Sequence, residues 1–254
     1  MNALTLSRPK AAAGVFWVKE GWRIFRLAPV PWMGMTAFAF MVILAVSLIP
    51  WIGQYIIELL SPFLVAGYFS ASRAAVAGEP VTFLHLGAGV HRGRIALLRI
   101  GMFYLAGSLI IFGLIHLFTG SDVRALMQQA QDPGSLSPEA FNRLIGSVLP
   151  GMLLAMVMLT LLLMATWFSP GLALFEDFPA GQALWWSLWA CWVNWRPVLY
   201  YSLILGLLGA VALAIPFGLG LLVFLPLALI STHVAYRMIF IPAQTSQMES
   251  AELP

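Results

Sequence analysis

Six stretches of this chain are long and apolar enough to cross a bilayer, and that feature removes most of what 254 residues could otherwise become. They run over about 31–50, 52–77, 94–118, 146–175, 197–215 and 217–241. In hydrocarbon a backbone must satisfy its own N–H and C=O groups, so uninterrupted apolar runs of this length read as helices. The composition agrees: 61% of the residues are hydrophobic and 9% charged, against roughly a quarter charged in a soluble domain. The expected fold class is therefore all-α, a polytopic membrane protein with six transmembrane helices.

The cations orient the spans. Arg8, Lys10, Lys19, Arg23 and Arg26 precede the first span, and Arg73, Arg92 and Arg94 cluster between the second and third, with Arg99 just inside the third. Arg196 precedes the fifth and Arg237 closes the sixth, whereas Arg124 and Arg143 lie on the other side. Basic residues collect in cytoplasmic loops, so both termini are expected in the cytoplasm and 119–145 in the periplasm. The net charge of +3 arises from cations at span ends, with no nucleic-acid module, so no nucleic-acid partner is expected. Residues 1–13 lack a small-residue cleavage site, which makes the first span an expected uncleaved anchor. Ser137-Pro138-Glu139 carries helix-start chemistry and is expected to open the second of two short periplasmic helices.

A short amphipathic segment precedes each pair of spans. Val15, Val18, Trp22 and Phe25 follow helical spacing opposite Lys19, Arg23 and Arg26; FLHLGAGVHR (83–92) is a weaker version; Trp185, Trp189 and Trp192 share one face of the third. The second spans end alike, in SPFLVAGYF (61–69), SPGLALFED (169–177) and STHVAYRMI (231–239). The expected organisation is a tail (1–13), one membrane domain (14–241) and a second tail (242–254). Within the domain lie three parallel units, 14–77, 81–175 and 180–241, each a cytoplasmic interfacial helix plus a helical hairpin. Tryptophan prefers the headgroup boundary, so Trp17, Trp22, Trp185, Trp189 and Trp192 are expected interfacial anchors.

Polar groups inside a membrane are costly, so each marks a candidate site. Glu58 and His116 stand at similar expected depth near the periplasmic side and form a candidate polar pair. Arg94, Arg99, Glu176, Asp177 and Arg196 form a candidate ion-pair or lipid-headgroup cluster on the cytoplasmic side. Pro62, Pro170 and Pro226 are expected helix kinks. His85 and His91 fall on different helix faces, His233 stands alone, and Cys191 is the single cysteine. No metal, cofactor or catalytic set is expected. Gly206, Gly209, Ala210 and Ala214, and Gly151 with Ala155, suit close helix packing, within the chain or against another subunit.

The W-x4-W-x9-W pattern (Trp17, Trp22, Trp32) and the set Ala183, Ser187, Asn194 and Pro197 resemble a group of uncharacterised proteobacterial inner-membrane proteins. That group is similar to the membrane domain attached to some glycerophosphodiester phosphodiesterases. The resemblance implies a six-span protein of the bacterial inner membrane and carries over no active-site residue, because the soluble catalytic domain is absent. The functional expectation is a non-enzymatic accessory, scaffold or lipid-binding protein whose partners are membrane lipids, a larger complex or a homo-oligomer. The alternative is a transporter or channel for a small solute or lipid, with a path between the repeats.

Overall fold

The computed structural model describes residues 4–119 and 138–242. Strand β1 (Leu4–Leu6) leads into α1 (Ala13–Phe25), α2 (Pro29–Ser47) and α3 (Gly53–Val76). A 3-10 turn at Phe83–Gly87 and the single turn α4 (Ala88–His91) precede α5 (Arg94–Thr119). Then follow α6 (Pro138–Trp167), α7 (Ser169–Phe175), α8 (Ala180–Val193), α9 (Trp195–Ala214), α10 (Leu221–Ile239) and β2 (Phe240–Pro242). Among the described residues six helices are long and apolar enough to cross a membrane: Pro29–Ser47, Gly53–Val76, Arg94–Leu117, Val148–Phe175, Trp195–Ala214 and Leu221–Ile239. This is a membrane protein.

β1 pairs antiparallel with β2, Thr5 opposite Ile241, so both ends of the described chain meet at one end of the bundle. α10 is the most buried span and the other five present broad apolar faces outward. Two tight turns join α2 to α3 and α9 to α10 at the far end. Each has an exposed aromatic in the left-handed region, Trp51 (φ 67°) and Phe217 (φ 59°). Glycine closes both: a Cβ on Gly53 would collide with the Val46 carbonyl, and one on Gly220 with the Ala212 carbonyl.

The short segments at the terminal end pack on protein through small residues. In α1, Gly14 lies against the backbone of Pro197 and Tyr201, and Gly21 against Ser231 of α10. In α3, Gly67 lies against the backbone of Leu86 in the 3-10 turn. α8 lies on α6 through buried Ala183, Ser187, Ala190 and Cys191.

Trp17 is not an interfacial anchor. It is fully buried and meets Tyr201 edge-on, with ring centroids 5.6 Å apart. Its place on the stripe with Gly14 and Gly21 turns it toward α9 and α10. Trp22, Trp185, Trp189 and Trp192 face outward, as their spacing implies.

Pro62 lies inside α3 and Pro226 inside α10, whereas Pro170 sits in the first turn of α7. The fourth span instead breaks just before it, at Phe168. There the Phe168 N–H donates to Ser187 Oγ at 2.9 Å, and the same hydroxyl donates to the Met164 carbonyl at 2.7 Å. Ser187 thus sits between a donor and acceptor that a continuous helix would join directly. The helix opening at Pro138 runs unbroken to Trp167 rather than ending as a short periplasmic element. The first of the two helices expected in that region falls outside the described residues.

Candidate functional site

Polar side chains gather in two places, one within the spans and one at the terminal end. Glu58, one turn into α3, is half-buried against α5. Its carboxylate accepts a hydrogen bond from Gln54 Nε2 at 3.0 Å and another from Ser108 Oγ at 2.5 Å. Side chains tilt toward a helix's N-terminus, which carries Glu58 toward the far end and onto Ser108. His116 is not its partner. It lies eight residues past Ser108, about 12 Å farther along α5, and is exposed. Gln54 and Ser108 satisfy the carboxylate instead, a role their neutral character did not advertise.

The expected cationic cluster divides in two. Asp177 pairs with Arg92, not with Arg99 or Arg196, accepting from Nε at 3.0 Å and Nη2 at 2.6 Å. That fork-on-fork hydrogen bonding holds Asp177 below the usual carboxylate range and raises Arg92. Arg99 is exposed and lines a cavity of about 250 Å³ together with Asp177, Phe178 and Gly93. Glu176 accepts from the Tyr236 hydroxyl at 3.4 Å, and Arg94 is exposed. Arg196 belongs elsewhere. Its guanidinium sits 5.3 Å from the Trp195 ring and lines a second cavity, of about 380 Å³, with Arg8 and Lys10.

Some placements escaped the sequence reading. His233, buried in α10, shares a 2.8 Å hydrogen bond with Ser72 of α3 and packs among Phe69, Phe175 and Tyr236. The signal available was a serine in the small-residue run ASRAA, but its partner lies 161 positions away. Arg73 lies over the Phe175 ring. His85 accepts from the Thr82 N–H and so caps the 3-10 turn. Burial pushes the Cys191 thiol up to about 12, so at neutral pH it is a packing group and not a thiolate.

The chain is similar to a probable inner membrane protein of Burkholderia thailandensis, 27% identical in an alignment 253 positions long that covers 92% of this chain and 90% of that protein. No protein-family model matches the chain. No solved structure matches it either.

Proposed function

We propose that the chain is a non-enzymatic protein of the bacterial inner membrane, with both termini cytoplasmic, serving as an accessory or lipid-binding subunit built from three hairpin units. The observation that carries this reading is how the bundle closes on itself. α8, ahead of the third hairpin, rests on α6 of the second. The 3-10 turn and α4, ahead of the second hairpin, rest on α3 of the first. α1, ahead of the first hairpin, rests on α10 of the third. Each unit is seated on its predecessor and the first on the last, and the matching Gly53 and Gly220 turns add to the likeness.

Large side chains fill the space between these elements, among them Trp17, Trp32, Tyr68, Phe69, Phe168 and Ile230. A cavity of about 270 Å³ between α2 and α3, and one of about 640 Å³ among α1, α9 and α10, are lined almost wholly by apolar groups. A solute path needs convergent polar groups at mid-depth, so this packing supports the accessory reading over transport. Ser72 and His233, the pair most like a catalytic arrangement, are sealed in the core, which supports a non-enzymatic role. The Burkholderia relative's description supports the inner membrane.

Native mass spectrometry of the protein, extracted gently from its own membrane, tests this. A Cβ at Gly206 meets nothing within 4 Å in this chain, so Gly206→Leu should leave the fold intact. The expected result is a heavier complex that Gly206→Leu dissociates. A lone protomer in both preparations would defeat the accessory reading.

One observation favours a proton-coupled transporter as the second reading: an ionisable Glu58 held between two spans by Ser108. Under it, Glu58→Gln abolishes uptake in reconstituted vesicles at unchanged expression. Retained uptake would dispose of it.

A further inference from the structure

We propose that the cavity between Arg8, Lys10 and Arg196 binds a phosphate group, supplied by the headgroup of an acidic phospholipid; this rests on the lipid-binding half of the reading above. The cavity, about 380 Å³, is lined by Arg8, Lys10 and their neighbours on one side and by Asn194, Trp195 and Arg196 on the other. These segments lie far apart in sequence and are held together by specific bonds. Buried Asn194 donates from Nδ2 to the Ser7 carbonyl at 3.3 Å. The Ser7 N–H donates to the Ile239 carbonyl at 2.8 Å, continuing the β1–β2 pairing. Arg8 and Lys10 are thereby brought to Arg196 by the fold and not by chance of a loose tail.

Charge and position then select the ligand. Among the described residues the two carboxylate ion pairs, Glu20–Arg23 and Arg92–Asp177, both lie elsewhere. Among the described residues, three cations therefore share one cavity and no carboxylate contributes to its lining. The cavity beside Arg99 differs in this respect, because Asp177 contributes to its wall. Arg196 is the second residue of its span, and exposed Trp192 and Trp195 stand beside it, at the level where a bilayer places its phosphates. The Trp195 ring under the guanidinium holds Arg196 at the rim. Basic pockets at such a level recognise anionic headgroups through charge-assisted hydrogen bonds.

The test uses the full-length protein in detergent, titrated with an equal mixture of phosphatidylglycerol and phosphatidylcholine and read by native mass spectrometry. Wild type should retain phosphatidylglycerol preferentially. Each cation near an anionic headgroup contributes about fivefold, so Arg8→Gln with Arg196→Gln should weaken retention about 25-fold. Lys19→Gln with Arg23→Gln removes the same charge from the same end and should change it less than about twofold. If the first double variant does not fold, Lys10→Gln alone should lose about fivefold. In a parallel arm, inorganic phosphate replaces the acidic lipid. Thermal protection by phosphate, absent from the Arg8/Arg196 variant, with no preference for phosphatidylglycerol, would keep the phosphate site and overturn the lipid source. Equal loss in both double variants, or none in either, would overturn the site. The Gly206→Leu dissociation reads the accessory role separately, so either can fail alone.

Discussion

α1 and α8 are both short tryptophan-bearing helices ahead of a hairpin, yet they use their tryptophans in opposite ways. In α1, Trp17 is 0% exposed, while in α8 Trp185 is 63% exposed. What separates them is which residues share the tryptophan's stripe. Gly14, Trp17, Gly21 and Ile24 lie on one face of α1, and the glycines let that face approach α9 and α10 until Trp17 is enclosed. In α8 the small residues Ala183, Ser187 and Ala190 occupy the face opposite Trp185, Trp189 and Trp192, so the rings are left outside. Among apolar side chains, size rather than hydropathy decides which face meets protein in a membrane, because lipid tails satisfy a large ring as well as a neighbouring helix does.

The sharpest break of this comparison is the same substitution on both helices. Trp17→Ala removes a buried ring and should cost about 3–5 kcal/mol through the cavity left behind. Trp189→Ala should cost under about 0.5 kcal/mol. Thermal unfolding in a single detergent, followed by loss of monodisperse protein, reads both, and comparable losses would erase the distinction. Next in size is Ser187→Ala, which takes the bridging hydroxyl from Phe168 N–H and Met164 C=O. With the Phe168 N–H left buried and unpaired, and the Met164 carbonyl keeping only the weak Cys191 S–H contact at 3.7 Å, the expected cost is about 1–3 kcal/mol, with faster amide exchange at Phe168. Unchanged exchange would mean that the fourth span re-forms its direct bond.

A smaller loss than that at Ser187 is expected for Arg92 and Asp177, which fasten the polar loops at the terminal end. Pairing lowers Asp177 from its ordinary value near 3.8. Its contribution is therefore complete above that value and is lost as the pH falls through the folded-state value below it. The pair is more than half exposed, so the change should stay below about 1 kcal/mol. An unfolding series in falling pH should show the wild-type loss only in this acid window, and Asp177→Asn should flatten that part of the profile.

All six spans are legible in the sequence to within a few residues, because long apolar runs leave helices as the response in lipid. Glu58 is equally legible as a group needing a partner, but that partner is Ser108 and not His116. That choice depends on how α3 and α5 are staggered, and no local spacing encodes it. The cationic cluster divided for the same reason: Arg92 and Asp177 meet across the α3–α5 and α7–α8 connections, and Arg196 is drawn to Arg8 by Asn194. Ser187 and Asn194 were visible as parts of a pattern, and their work became visible with their neighbours.

By itself, then, the sequence determined the class of protein, the six membrane-crossing helices and the existence of short amphipathic segments between them. Those follow from transfer energies of runs of residues, which each run carries on its own. The tertiary structure decided which face of each segment is enclosed, where the fourth span breaks, and which charges share a cavity. These depend on close approach between residues far apart in sequence, and hydropathy does not distinguish a neighbouring helix from the lipid that would otherwise take its place.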